Sequence, residues 1–418
     1  MSWIPLLIYS FIVFSFLLDQ LVERLNLNQV QKKLPRAFEG IYSESEYRRS
    51  QTYLKESTQY ALFQKALFLP LVIGFLSLDG LVVLDRIVSQ WRYGPIESGL
   101  LYLGILAFGL QILKLPFSYY QTFSIEERYG FNRSTKMVFF LDWFKALLIG
   151  VFMGALLLGL LLWFLMTYQK HGWWMAGVVI IGLQLFFALI APVWIMPLFN
   201  RFSPLPEGEL REKIEAFSNQ VGFQIGGIYT MDGSRRSTKA NAFFTGFGKT
   251  KRIVLFDTLI QKLSTDELVA VLAHEIGHYQ RHHIFKMMAL SVVTIGLTLF
   301  AFQWMLYDLA LYRAFGFSEI KIHIGLVLVS FLFAPLSRVF GVLSQFISRR
   351  HEYEADAYAV KNYEKPFELV SALKKLTVDH LGNLNPHRMK VWFDYSHPPV
   401  LKRIQAIENA SLKDEATS

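Results

Sequence analysis

The stretch STDELVAVLAHEIGHYQRHH, residues 264–283, decides how the rest of the chain is read. It contains His274-Glu275-Ile276-Gly277-His278, an H-E-x-x-H pattern. In a helix, two histidines four positions apart lie on one face. Two imidazoles on one face can hold one Zn²⁺, and Glu275 on the adjacent part of the turn can take a proton from water at the metal. The local signals favour a helix. Ser264 is an N-cap residue with Glu267 three positions later, the pattern of a capping box. Leu268, Val271, Leu272 and Ile276 recur at helical spacing. There is no proline between Thr265 and the following apolar run, so an almost continuous helix into that run is expected. His282 and His283 then turn mostly away from the metal, and an interfacial position is expected for them.

The composition bounds the surroundings. More than half of the 418 residues are hydrophobic (53%) and only 18% are charged. That balance excludes an ordinary soluble protein and indicates several membrane spans. There is no cysteine, so a metal site must be built from His and carboxylates. The net charge of +9 sits in loops beside apolar runs, which fits anionic lipid and the positive-inside rule better than nucleic acid. No nucleic-acid partner is expected; the lipid bilayer is.

Seven apolar runs are long enough to span: residues 3–18, 61–84, 99–123, 137–166, 173–199, 287–312 and 322–347. The N-terminal run lacks a basic n-region and an A-x-A-like cleavage site, so a retained first span is expected. Loops after the odd-numbered spans are basic, with Arg24, Lys32, Lys33, Arg36, Arg48, Arg49 and Lys55 after the first and Arg128, Arg133 and Lys136 after the third. The N-terminus is therefore expected outside, and the C-terminus and the H-E-x-x-H segment in the cytoplasm. Four segments follow: a membrane domain of five spans (1–199), a cytoplasmic segment carrying the motif (200–286), the sixth and seventh spans (287–347) and a cytoplasmic tail (348–418). Within the second, β-like runs at 226–231, 241–247 and 252–256 predict a small sheet, with Gly246-Phe247-Gly248 as a turn. A last amphipathic helix is expected over 400–410, followed by an unstructured end. Lys114, Asp142, Lys145 and Arg338 fall within or beside spans, as charges facing a wet interior do.

A histidine pair needs a further ligand. The sixth and seventh spans form a hairpin, so the residues just after the seventh return to the motif's side of the membrane. Here stands His351-Glu352-Tyr353-Glu354-Ala355-Asp356. Glu352 and Asp356 share a helical face, which fits one metal ligand plus a carboxylate that holds a ligand imidazole by its other nitrogen. Glu354 lies about 200° around the helix from Glu352 and is the weaker candidate.

With these residues placed, the chain resembles the integral-membrane zinc endopeptidases of the CAAX prenyl protease (type I) family. Further stretches carry the likeness: FSYYQTFSIEERYGFN (117–132), NAFFTGF (241–247), KRIVLFDTL (251–259) and Ser396-His397-Pro398-Pro399. A shorter heat-shock-type membrane protease shares the metal motif but lacks the long N-terminal half. The resemblance implies a mainly α fold, in which seven transmembrane helices ring a hollow, water-filled chamber closed at one end by the zinc domain. It implies one zinc per chain on His274, His278 and Glu352, with Glu275 as general base and Asp356 behind a ligand histidine. It also implies that His397 faces substrate and steadies the oxyanion, and that Asn241 and Arg403 line the substrate cleft. The implied activity removes the C-terminal tripeptide of prenylated CAAX proteins, and a monomer is expected. Two alternatives remain at this point: a bacterial quality-control protease without CAAX substrates, and a seven-span transporter or receptor with a structural metal. For localisation, a bacterial inner membrane is favoured over the endoplasmic reticulum, because the tail has no retrieval signal.

Overall fold

The computed structural model describes residues 3–30, 33–245 and 251–417, with side chains to residue 412 in the last helix. The turn expected at 246–248 lies outside the described residues. Among the described residues, seven helices are long and apolar enough to cross a membrane: Trp3–Asn28, Glu44–Ser77, Pro95–Glu126, Lys136–Thr167, Gly172–Leu198, His283–Leu306 and Ile322–Tyr363. Each meets the next in order, and the seventh closes the ring against the first. Only 0% to 17% of each apolar window is buried, so neither face of these helices packs against a solid core. The ring therefore encloses space.

Two packed regions close the ring at opposite ends. At one end Tyr102, Leu162, Leu165, Tyr312 and Ile324 form an apolar plug. At the other, a second core joins the sheet and the soluble helices to Phe38, Tyr42 and Tyr47 from the segment after the first span. Several charges in or near the spans are paired across helices. Arg338 donates to Asp19 at 3.0 Å, Arg236 forks Asp142 at 2.6 and 3.0 Å, and Lys145 donates to the Leu198 carbonyl at 2.8 Å.

Some boundaries differ from the sequence expectation. The second span ends at Ser77, because Asp79 adopts a left-handed conformation (φ 55°) and starts a separate helix, Gly80–Ser89. Leu81, Leu84 and Val88 of that helix are buried in the plug, which explains the apolar run that the sequence extends into it. The sixth span stops at Leu306, and the last helix runs Val400–Thr417 instead of ending near 410.

The seventh span has the largest consequence. Its 42 residues form one helix. At 1.5 Å per residue that is about 63 Å, roughly twice the hydrocarbon thickness of a bilayer. The surplus length carries residues 351–356 into the soluble core, with no joint between membrane ring and site.

Among the described residues the sheet has four strands in the order β1 (Phe202–Pro204), β2 (Gly227–Met231), β4 (Arg252–Phe256) and β3 (Ala242–Thr245). β2 and β4 are parallel, and β1 and β3 add antiparallel at the two edges. β4 is central, and its continuous run Ile253, Val254 and Leu255 is buried, as a strand covered on both faces requires. β3 is an edge strand.

The 117–132 stretch fastens the membrane ring to this sheet. It includes a π-helical turn, Gln121–Glu126. Glu126 accepts from Tyr53 at 2.6 Å and from Lys239 at 2.9 Å. Thr238 N–H donates to the Phe131 carbonyl at 3.1 Å, and Asn132 bridges Ser237. These bonds hold the backbone just ahead of β3.

Candidate metal centre and cleft

The motif helix runs Thr265–Gln280 and begins with the expected capping box. Ser264 Oγ accepts from Glu267 N–H at 3.2 Å, and Glu267 accepts from Ser264 N–H at 2.7 Å. Glu267 is buried, where Ser371 and Lys375 also donate to it at 2.5 and 2.8 Å. The cap thus ties the helix to the tail as well as starting it.

The helix lies directly against the extension of the seventh span, and Gly277 marks the closest approach. A Cβ there would lie 3.1 Å from the Ala355 Cα, the Ala355 carbonyl oxygen and the Tyr358 Cβ. Two of those atoms are backbone and cannot turn aside. Gly277→Ala is therefore expected to push the helices apart. Overpacking costs about 1–3 kcal/mol, against a gain of about 1 kcal/mol in helix propensity. The expected net effect is a lower Tm and weaker zinc binding, since Glu352 and the histidines sit on opposite sides of this contact. Thermal unfolding and a zinc titration check it; an unchanged Tm with unchanged zinc affinity would refute it.

Across this contact one ligand atom each from His274, His278 and Glu352 falls within 4.8 Å of the others. The two Nε2 atoms are 3.2 Å apart. Glu352 Oε1 is 3.2 Å from His278 Nε2, and Oε2 is 3.5 Å from His274 Nε2. Asp356 Oδ1 lies 2.8 Å from His274 Nδ1, so in the neutral imidazole that nitrogen keeps the proton and Nε2 is the one that presents a lone pair. Arg403 forks Asp356, from Nε at 2.9 Å and Nη2 at 2.7 Å, and its Nη1 lies 3.3 Å from Glu352 Oε2. His397 Nε2 is 3.3 Å from Glu352 Oε1, while the His397 side chain is 61% exposed at the lip of the cleft.

This donor set fits zinc. Two imidazole nitrogens and a carboxylate are ligands it prefers. Glu352 Oε2 is buried without a hydrogen bond, with the Arg403 guanidinium near it only as an ion pair, so the oxygen keeps a lone pair for a metal. The electrostatics agree: burial opposes charge on His274, yet Asp356 and Glu352 outweigh it and hold its pKa at about 9. Glu275 is shifted differently. Burial raises its pKa above the ordinary glutamate value, and the neighbouring histidines only partly offset that.

Glu275 stands in the wall between two cavities. One, of about 580 Å³, is bordered by Asn241, His274, Leu373, His397 and Arg403. The other, of about 680 Å³, is bordered by Phe243, Phe244, His278, Met287 and Met288 and reaches Gln184 and Ala188 of the fifth span. β3 runs past Glu275 from one cavity to the other. Asn241 lies just before it, with its side-chain oxygen accepting from Ala242 N–H at 2.9 Å.

The structure also places residues that the sequence reading missed. The motif helix does not continue into the sixth span. His282 takes a left-handed conformation (φ 56°), and a new helix starts at His283. The break turns His283 back to the site, where its Nδ1 is 2.9 Å from His278 Nδ1. Glu354, set aside for facing away from Glu352, meets His283 Nε2 at 3.1 Å. His380 Nε2 accepts from Ala240 N–H at 3.0 Å and so holds the chain just ahead of Asn241. No local sequence signal marks His380. For His283 the nearest signal is the polar run Gln280 to His283, which interrupts the apolar stripe.

A hollow ring of seven membrane helices, capped by a His–His–Glu cluster with a glutamate beside it, defines a membrane-embedded metallopeptidase. Comparison with known proteins agrees. Residues 23–201 match "CAAX prenyl protease N-terminal, five membrane helices", and residues 204–411 match "Peptidase family M48". The chain belongs to this family of CAAX prenyl protease-type M48 peptidases, and it is a zinc metalloprotease. It is 34% identical to CAAX prenyl protease 1 of Saccharomyces cerevisiae, over 93% of this chain and 92% of that one. It is 31% identical to the CAAX prenyl protease 1 homolog of Homo sapiens, over 92% and 86%. The crystal structure of S. mikatae Ste24p superposes with a TM-score of 0.93 at 32% identity, covering 98% of this chain and 99% of that one. The transporter or receptor alternative gives way to these findings. Relatives from yeast, plants and human lend no support to the bacterial inner membrane or to the bacterial quality-control alternative.

Proposed function

We propose that this protease removes a short C-terminal peptide from prenylated CAAX proteins, at the cytoplasmic face of a eukaryotic internal membrane such as the endoplasmic reticulum. The observation that carries this reading is Glu275, placed beside the His274–His278–Glu352 cluster and between one polar-lipped and one apolar cavity. The exposed edge of β3 suits an extended substrate that adds as a further strand. Its prenylated cysteine would lie toward the apolar cavity beside the fifth and sixth spans. The residues to be released would lie toward Asn241 and His397.

His274, His278 and Glu352 would hold one zinc, with Asp356 fixing His274. When bound, zinc supplies Lewis acidity, polarising a carbonyl and lowering the pKa of water toward neutrality. Glu275 takes the proton of the attacking water and returns it to the leaving amine. His397 donates to the oxyanion of the tetrahedral intermediate. Arg403 keeps Asp356 ionised and borders the cleft.

Purified full-length protein tests the substrate class. A farnesylated CAAX peptide is expected to be cleaved with a kcat/KM well above that of the same peptide without the prenyl group. Equal cleavage of the two would overturn the proposed specificity and leave the peptidase assignment standing.

The metal assignment makes a pH prediction. With its pKa near 9 in the metal-free protein, His274 is protonated at pH 7.5 and must lose that proton to bind zinc. Zinc affinity is therefore expected to fall about tenfold per unit as pH drops below 9, with about one proton released per zinc. Calorimetry in buffers of different ionisation enthalpy measures that release. No proton release at pH 7.5 would contradict the prediction.

A further inference from the structure

Among the described residues, no carboxylate meets His278 Nδ1 as Asp356 meets His274 Nδ1. Its Nδ1 faces His283 Nδ1 at 2.9 Å, and His283 Nε2 faces Glu354 Oε2 at 3.1 Å. His283 is buried (3% exposed), and its ring lies flat on His351, with centroids 4.0 Å apart and planes 8° from parallel. Arg350 Nε donates to the other oxygen of Glu354 at 3.1 Å, and Lys286 lies 3.7 Å from Oε2. Every member of this chain of contacts is thus held by a further partner.

The proton positions follow from the chemistry. An ionised carboxylate only accepts, so His283 Nε2 carries the proton. In a neutral imidazole the other nitrogen then bears the lone pair, and His283 Nδ1 accepts. His278 Nδ1 must be the donor, which leaves His278 Nε2 with a lone pair directed at His274 and Glu352. The reverse arrangement would point an N–H from His278 into the metal position. The left-handed residue His282 makes this possible: in an unbroken helix, His283 would lie about 140° around from His278.

We propose that His283 and Glu354 are positioning residues for the metal, acting through the chain Glu354–His283–His278, with His351 fixing the plane of the His283 ring. This rests on the reading of His278 as a zinc ligand. A ligand histidine depends on the group at its other nitrogen for tautomer, orientation and basicity. Here that group is a second imidazole backed by a carboxylate, brought in by the first turn of the sixth span and the extension of the seventh.

The test uses the full-length protein in detergent, stripped of metal, with zinc affinity read by competition against a chromophoric chelator. His283→Phe keeps an aromatic ring for His351 but cannot accept from His278. It is expected to weaken zinc binding by about 10- to 100-fold. Glu354→Leu is expected to weaken it less, because His283 loses its tautomer restraint but keeps its acceptor. Glu354→Gln, whose amide oxygen still accepts from His283, is expected to stay within about threefold of the native chain. A His283→Phe chain that binds zinc within twofold of native would overturn the proposal. If that variant does not fold, Glu354→Leu binding zinc as tightly as Glu354→Gln would overturn it. His278→Ala tests the underlying reading separately: undiminished zinc affinity there would show that His278 is not a ligand at all.

Discussion

Glu275→Gln is expected to retain about one zinc per chain and to lose peptide hydrolysis by at least the 10²- to 10⁴-fold that a positioned general base contributes. The two halves of this result have separate physical causes. The ligand cluster is held by Asp356, Arg403 and the close packing of Gly277 on Ala355, none of which involves Glu275. Glutamine has nearly the same shape, so the helix and its histidines stay in place. The amide, however, cannot take a proton from water near neutral pH. Burial that raises the Glu275 pKa brings the carboxylate closer in basicity to the proton it must accept, which the amide cannot imitate. Metal analysis and a cleavage assay on the same preparation decide the matter. Full residual cleavage would sink the proposed mechanism, and loss of zinc would show that Glu275 has a structural part in the site.

Arg403→Leu is expected to have the largest effect on stability. Arg403 is only 8% exposed, and its guanidinium lies against two buried carboxylates, Asp356 and Glu352. Removing one partner of a buried ion pair leaves uncompensated charge and costs about 3–5 kcal/mol. In the metal-free protein the protonated His274 then faces the two carboxylates without the guanidinium and offsets only part of their charge, so a clear fall in Tm is expected. Saturating zinc should restore part of it, because the cation would be held by Glu352 and by His274, the imidazole that Asp356 backs. The family resemblance implies instead a residue lining the substrate cleft. A purely substrate-contacting arginine would raise KM and leave the metal-free Tm unchanged, so thermal unfolding with and without zinc separates the two.

Much of the site was legible because its signals are local. The H-E-x-x-H spacing, the Ser264–Glu267 cap and the Glu352–Asp356 spacing each depend on one helix and its 3.6-residue period, and the geometry around His274 agrees with what they imply. The hairpin of the sixth and seventh spans was enough to bring Glu352 to the histidines. His283 was misplaced because the periodic argument assumed one continuous helix. The left-handed turn at His282 adds a rotation that no proline or glycine announces. The angle between Glu354 and Glu352 makes Glu354 the weaker ligand candidate, in keeping with the cluster of His274, His278 and Glu352, but a relation within one helix gives no hint that Glu354 meets His283.

The sequence by itself determined the membrane class, the number of spans, the metal motif and the carboxylates that meet it, because apolar length and helical period are properties of short segments. Only the tertiary structure decided that the seventh span runs unbroken into the protease core, that Arg403 is spent on Asp356, and that a third imidazole stands behind His278. Those depend on where separate segments close on one another, and the contact that sets them, Gly277 against Ala355, joins residues far apart in the chain.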